Sequence, residues 1–234
     1  MPYFCFRMLH STNAVELVVA HYRENLNWLG NVPAGLTVTV YDKCPHHAFP
    51  GATPLPNEGR EAHTYLHHLV CRYDTLAEWT VFCQGKPFDH AYDFHKTLRQ
   101  CCDHPERIGD FRWLGHLIDT DDPGGERLFK PWSKNDDGRG LALADFHRAL
   151  LQREGPPDYP FVLGGQFVVR RELVRQQPAD FYRHALALSV SFPDAAHCFE
   201  RTWDRVFGVC GVDPGWLAGR QTVSLKPMKH QPHR

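Results

Sequence analysis

The stretch "EWTVFCQGKPFDHAYDFHKTLRQC", residues 78–101, decides the fold class. Its first eight residues form a short apolar run rich in aromatic and β-branched side chains, ending on Gln84-Gly85; this reads as a buried strand. Pro87 then opens a helix over 87–101, since proline's fixed φ suits a helix's first turn. The same alternation recurs upstream. "VELVVAHY" (15–22) and "LTVTVY" (36–41) read as strands, "ENLNWLG" (24–30) as a short helix closed by Gly30, and 59–73 as a longer helix. Between Pro45 and Pro56 lie Pro50, Gly51 and Pro54, the composition of a loop. Strand–helix alternation predicts an α/β fold, a layered sheet flanked by helices. Ligands in such sheets sit beyond the carboxyl ends of the strands. Those ends are His21-Tyr22-Arg23, Tyr41-Asp42-Lys43 and Gln84-Gly85.

Downstream, residues 103–160 are rich in Gly, Asp and Pro and read as an acidic loop enclosing one helix, "LALADFHRALLQ" (141–152). "YPFVLGGQFVVRRE" (159–172) reads as one strand with a Gly-Gly interruption, leading into a helix. "PADFYRHALALSV" (178–190) and "AHCFERTWDRVFG" (196–208) read as helices, the second closed by Gly208. No repeat, low-complexity tract or linker divides the chain. One domain over 1–234 is expected, with its core at about 15–208 and an extended basic tail at 217–234.

Composition narrows the function classes. Apolar residues make up 42% and charged residues 23%, with a formal net charge of −1. The molecule as a whole is not an electrostatic trap for nucleic acid. DNA is not an expected partner. A tRNA partner would need a local patch, for which Arg170, Arg171 and Arg175 or the tail cations Lys226, Lys229 and Arg234 are the candidates. The 8 cysteines include no C-x-x-C pair, and Cys101-Cys102 are adjacent, so free thiols in a reducing cytoplasm are expected. No apolar run approaches the ~20 residues of a membrane span.

The chemistry concentrates in "LPNEGREAHTYLHH" (55–68). Asn57 is a favoured helix cap, and Glu58 and Glu61 fall in the first turn, where the helix dipole favours carboxylates. Gly59 weakens a helix, and becomes intelligible where a phosphate must approach the backbone with Arg60 beside it. At ~100° per residue, Ala62, Tyr65, Leu66, Leu69 and Tyr73 share one face. Arg60, His63, Thr64 and His67 share the other, which reads as a solvent-facing stripe with a possible His63–His67 metal pair lacking a third ligand. Asp89-His90 offers acid/base chemistry or a divalent-ion site, with local capping as the plain alternative. Asp119-x-Asp121 supplies hard oxygens suited to Mg²⁺ or Mn²⁺, and Asp136-Asp137 is a second acidic candidate. Gly164-Gly165 and Gln166 would let a substrate lie against the chain. Glu200 reads as a base or as a surface ion pair with Arg201 and Arg205.

Taken in order, "VVAHYRENLNWL", "VYDKC", "LPNEGREAHTYLHHLVCRYDTLAEWTVFCQGKPFDH", "GGQFVVRRELV" and "ERTWDRVFG" resemble a family, found in fungi and bacteria, catalogued as a domain of unknown function. The resemblance covers about residues 15–208. That family in turn is similar to GT-A-type glycosyltransferases. The resemblance implies a nucleotide cradle at an early strand, including Tyr41, and an N-x-G-R-[DE] element, here Asn57, Gly59, Arg60 and Glu61, near the donor. It places "GGQF", with Gly165 and Gln166, under the acceptor, and Gln84-Gly85 at the central strand end. It implies a D-x-D after the "VFCQG" strand; here Asp119-Thr120-Asp121 lies further downstream.

The expectation is therefore a GT-A-like transferase using a phosphorylated, nucleotide-linked donor. Arg60 and the Gly59 backbone bind the donor, His63 adds a contact, Asp89-His90 or Glu61 supplies acid/base function, and Mg or Mn is the implied cofactor. The alternatives are an aminoacyl-tRNA-dependent cyclodipeptide synthase and a non-catalytic metal-binding protein built on the 16 histidines.

Overall fold

A computed structural model describes residues 14–45, 49–133 and 135–226. Strand β1 (Val15–His21) sits at the centre, because its side chains are apolar in both directions. Val15, Leu17 and Val19 point into one hydrophobic cluster and Val18 into another, as a strand buried on both faces requires. β2 (Thr37–Asp42) and the two-residue β3 (Thr53–Pro54) follow, then helix α1 (Arg60–Arg72) and β4 (Trp79–Gln84). These four strands are parallel, in the spatial order β3-β2-β1-β4.

The segment 87–101 is not one helix. Pro87–Asp89 is a single 3₁₀ turn, and α2 (Phe94–Asp103) begins only after Ala91 has accepted the Phe94 amide. "ENLNWLG" likewise forms only a 3₁₀ turn, at Asn27–Asn31. The acidic segment expected as loop holds β5 (Phe111–Trp113), β6 (Leu117–Asp121) and the short α3 (Phe129–Trp132), followed by α4 (Leu143–Leu151).

The largest difference is at the Gly-Gly interruption. β7 (Tyr159–Val162) and β8 (Phe167–Arg170) are separate strands in different sheets. β8 inserts antiparallel between β4 and β5, completing a six-stranded sheet. β7 pairs with β6 in a three-stranded antiparallel sheet. Gly164 (φ 95°) and Gly165 (φ 58°) make the crossing, in a backbone region that other residues rarely adopt. A Cβ on Gly164 would also lie 2.5 Å from the His90 side chain.

α5 (Arg171–Val174), α6 (Ala179–Ser191), α7 (Ala195–Glu200), α8 (Trp203–Val206), α9 (Pro214–Leu217) and β9 (Val223–Ser224) complete the chain. The expected helix over 196–208 is thus two pieces, and its break coincides with Thr202 bonding the Cys198 carbonyl. Trp216 and Val223 therefore belong to elements rather than to a bare tail; Lys229 and Arg234 lie outside the described residues, as does Cys5.

α2 covers one face of the large sheet, and α1 the other. α6 and α7 pack over α1 in turn, so the solvent-facing reading of its polar stripe fails at Thr64, fully buried, and His63, only 7% exposed, while Arg60 is exposed and His67 half-buried. Tyr65, Phe82, Phe167 and Trp203 knit α1, the sheet and α8 together, with ring centroids 5.0–5.8 Å apart. Such pairs contribute about 0.5–1.5 kcal/mol each beyond their buried area.

Candidate functional site

The parallel strands deliver their last residues to one edge. There Ala20, His21, Tyr22, Lys43, Gln84 and the start of α1 bound a cavity of about 250 Å³. Alternation explains who faces it: Ala20, Lys43 and Gln84 share the strand face of Val18, Tyr41 and Phe82, the side on which α1 lies.

The start of α1 is built by an unusual turn. Gly59 (φ 57°) and Arg60 (φ 48°) are both left-handed, and no side chain caps the helix, Asn57 included. Gly59 is not explained by a ligand. A Cβ there would lie 2.7 Å from both the Ser189 carbonyl oxygen and the His63 Cβ, so glycine is required by the close passage of α6. Arg60 has no such freedom and is held by its neighbours. Lys43 Nζ donates to the Glu58 carbonyl at 2.6 Å and also to the Arg60 carbonyl, pinning the turn from below. Burial lowers the Lys43 pKa to about 8, against the pull of Glu61 and Glu58.

Two carboxyls meet beside this turn. Glu61 lines the cavity; burial pushes its pKa up, nearby Glu200 adds to the rise, and Arg60, with Nε at 3.8 Å, opposes it. Glu200 goes the other way. Burial would raise it, but His197, Arg201 and the Gly164 amide outweigh burial and hold it below the usual range. The Gly164 amide donates to Glu200 Oε1 at 2.7 Å, and His197 Nδ1 lies 3.9 Å from Glu200. Arg60 Nη1 donates to His197 Nε2 at 2.9 Å, which leaves the imidazole proton on Nδ1, facing Glu200. Neighbouring carboxyls driven apart in this way are the arrangement that separates an acid from a base.

Of the residues singled out from sequence, Asn57, Arg60, Glu61 and Gln84 come together on the cavity. Gln84 Nε2 also donates to the Gly164 carbonyl at 3.1 Å, joining β4 to the glycine turn. Gly85 packs on Glu24 and accepts from the Trp28 indole. Gly165 lies against Glu200 and Trp203.

The others serve the fold. Tyr41 is an interior residue, its hydroxyl 3.1 Å from His68 Nδ1 and its pKa pushed up to about 12 by burial. His63 sits beneath the turn, 3.5 Å from Glu58, and burial, with Lys43 and His67, pulls its pKa down to about 4. Gln166 is fully buried and donates to the Pro87 carbonyl at 3.0 Å, so it cannot meet a substrate. Asp89 and His90 do not form a pair: Asp89 is exposed and bridges to Lys86 at 3.0 Å, while His90 packs under Gly164.

Asp119 and Asp121 do not fit a divalent-ion centre. Asp121 is fully buried, and its oxygens already accept from Arg201 Nε at 2.8 Å and from the amides of Asp122, Leu128 and Phe129. Asp119 accepts from Thr222. Asp137 is exposed and tied to Arg139. Among the described residues no group of three or more His, Cys, Asp or Glu is placed to hold a metal ion. The arginine patch is partly compensated: Arg170 faces Glu78, Asp110 and Glu172, Arg171 faces Glu172, and Arg175 donates only to the Asp74 backbone carbonyl. The described cysteines are free thiols, and no described helix is long and apolar enough to cross a membrane.

Two contributors escaped the sequence reading. Lys43 was visible only as a strand-end residue, and His197 not at all, although its i,i+3 spacing from Glu200 on α7 would have marked a shared helix face.

The fold and its edge define an α/β domain with a cavity lined by polar side chains at the strands' carboxyl ends. Residues 17–107 match the model of the family described as Protein of unknown function (DUF3431). The match spans less than half of the chain. It includes Lys43, Arg60, Glu61 and Gln84 but ends before His197 and Glu200. No curated protein matches the chain.

Proposed function

We propose that this protein is a GT-A-like transferase that moves a glycosyl group from a nucleotide-sugar donor to an acceptor hydroxyl. One observation carries the reading: at the carboxyl ends of β1, β2 and β4, Arg60 and the uncapped start of α1 stand beside two half-buried carboxyls of opposite protonation tendency. An uncapped helix start with an adjacent arginine suits the diphosphate of such a donor.

The chemistry follows from the same groups. Glu200, ionised, takes the proton of the acceptor hydroxyl as that oxygen bonds to the anomeric carbon. The bond from this carbon to the diphosphate oxygen breaks, and its electron pair leaves with the diphosphate. Arg60 and the α1 amides face the developing charge, and Glu61, kept protonated, donates a hydrogen bond to the leaving oxygen. A GT-A resemblance implies Mg or Mn, but Asp119 and Asp121 do not fit such an ion, and no step is assigned to one.

Isothermal titration against UDP-, GDP- and CMP-sugars, each with and without Mn²⁺, tests the reading. Binding of at least one donor is expected, weakened about tenfold or more in Arg60→Gln, the size of a lost charge-assisted hydrogen bond. Glu200→Gln is expected to bind that donor without transferring. Failure of every donor to bind would end the proposal.

A further inference from the structure

The opposite border of the large sheet holds a second concavity, outside the Arg60 cavity. Trp113, Leu114, Gly211, Trp216 and Leu225 line a groove of about 290 Å³. Through Arg112, Thr97 and Lys226 it opens into a wider hollow bounded by Lys96 and Gln100. β5 runs antiparallel to β8, as does β4, so β5 and β4 point the same way. The groove at Trp113 therefore lies at the same end of the sheet as the Arg60 cavity, with the Gly164–Gln166 turn between them.

Its two ends differ in chemistry. At one, Trp216 is 49% exposed and Leu225 37%, a concentration of open apolar surface. At the other stand three cations. Lys226 is neutralised by both oxygens of Asp93, at 2.9 Å each. Among the described residues no carboxylate forms an ion pair with Lys96 or Arg112. Between the ends lies Trp113, 7% exposed, whose indole N–H has no hydrogen-bond partner among the described residues. That nitrogen is closed in against Gly211, where a Cβ would meet it at 2.5 Å, Phe111 at 2.8 Å and Asp204 at 2.9 Å. Two uncompensated cations and exposed aromatic surface border one continuous groove.

We infer that this groove is a second ligand site, for a free anionic amphiphile. Its carboxylate or phosphate head lies between Lys96 and Arg112, and its apolar body covers Trp216 and Leu225. The site is independent of sugar transfer and stands whether or not the Arg60 cavity binds a nucleotide-sugar.

The test uses the full chain and 1-anilinonaphthalene-8-sulfonate, itself an anionic amphiphile, followed by fluorescence. Displacement is expected with decanoate and decyl phosphate below their micellar concentrations, and not with decanol or inorganic phosphate. Arg112→Gln and Trp216→Ala are each expected to weaken probe binding about tenfold, as loss of a charge-assisted contact or an aromatic face does. Circular dichroism and melting temperature establish that each variant is folded. Equal displacement by decanol, an unchanged affinity in Arg112→Gln, or binding confined to phosphatidylserine vesicles would each overturn the site.

Discussion

Asp121 and Glu61 are both acidic residues taken out of water, and they are treated in opposite ways. Asp121, at the end of β6, accepts from Arg201 and from three loop amides. Glu61, at the start of α1, has the Arg60 guanidinium at 3.8 Å and faces a cavity. The saturated carboxylate holds the segment 122–129 in place and has no capacity left for a ligand. The unsaturated one has its charge held in check and its oxygens open. Sequence offered both, Glu61 for acid/base function and Asp119-x-Asp121 for a metal ion, and hydrogen-bond accounting leaves Glu61 rather than Asp121 with oxygens free for a ligand.

Substitutions can break this contrast. Asp121→Ala is expected to cost about 3–5 kcal/mol in denaturant unfolding, because it strands the buried Arg201. An equal loss from Glu61→Gln would erase the distinction.

Acid comes next in size. His63 and His68 are held neutral, with pKa values near 4 and 3 against an ordinary 6.5, chiefly by burial. The folded state thus binds fewer protons than the unfolded one, and stability is expected to fall as pH drops from 6.5 toward 3. Melting temperatures across that range check this, and a His68→Gln variant should flatten the slope.

Gly59→Ala is expected to cost about 1–3 kcal/mol, since it combines a left-handed backbone with a collision at the Ser189 carbonyl. Full recovery of stability would mean the glycine serves a ligand rather than α6.

The smallest effects carry the sharpest sign. Glu61 has a raised pKa, so its stabilising contribution is complete below about 4.5, its unfolded value, and is lost as pH rises through the folded value. Glu61→Gln should then be the more stable protein at neutral pH, with the gain vanishing in acid. Glu200, lowered, gives the reverse: Glu200→Gln should be less stable at neutral pH, and the deficit should close as pH falls. Thermal melts of both variants at pH 4 and pH 7 separate the two.

What the sequence revealed was local. The parallel strands were legible because β-branched and apolar residues run unbroken through Val15–His21 and Trp79–Gln84. Arg60 and Glu61 were legible because a helix start announces itself. The second layer was not. A helical wheel sorts α1 into two faces but does not show that α6 covers the polar one. Periodicity also cannot tell one interrupted strand from two strands in different sheets, which is what Gly164 and Gly165 create. His197 reaches Arg60 across 137 residues, a proximity only the fold supplies.

The insertion of β8 beside β4 bears on how the chain comes to be folded as it is made. Phe82 pairs with Phe167, so one border of β4 has no strand to meet until the ribosome has delivered residues far beyond the 17–107 segment. A nascent chain halted at 107 would present Trp79–Phe82 as an open edge, a template for pairing with other chains. Closing it demands a contact between residues 85 positions apart, which belongs among the slow steps of folding. The 17–107 segment and the later half thus depend on each other in synthesis, and a fragment ending at 107 is expected to aggregate rather than to fold.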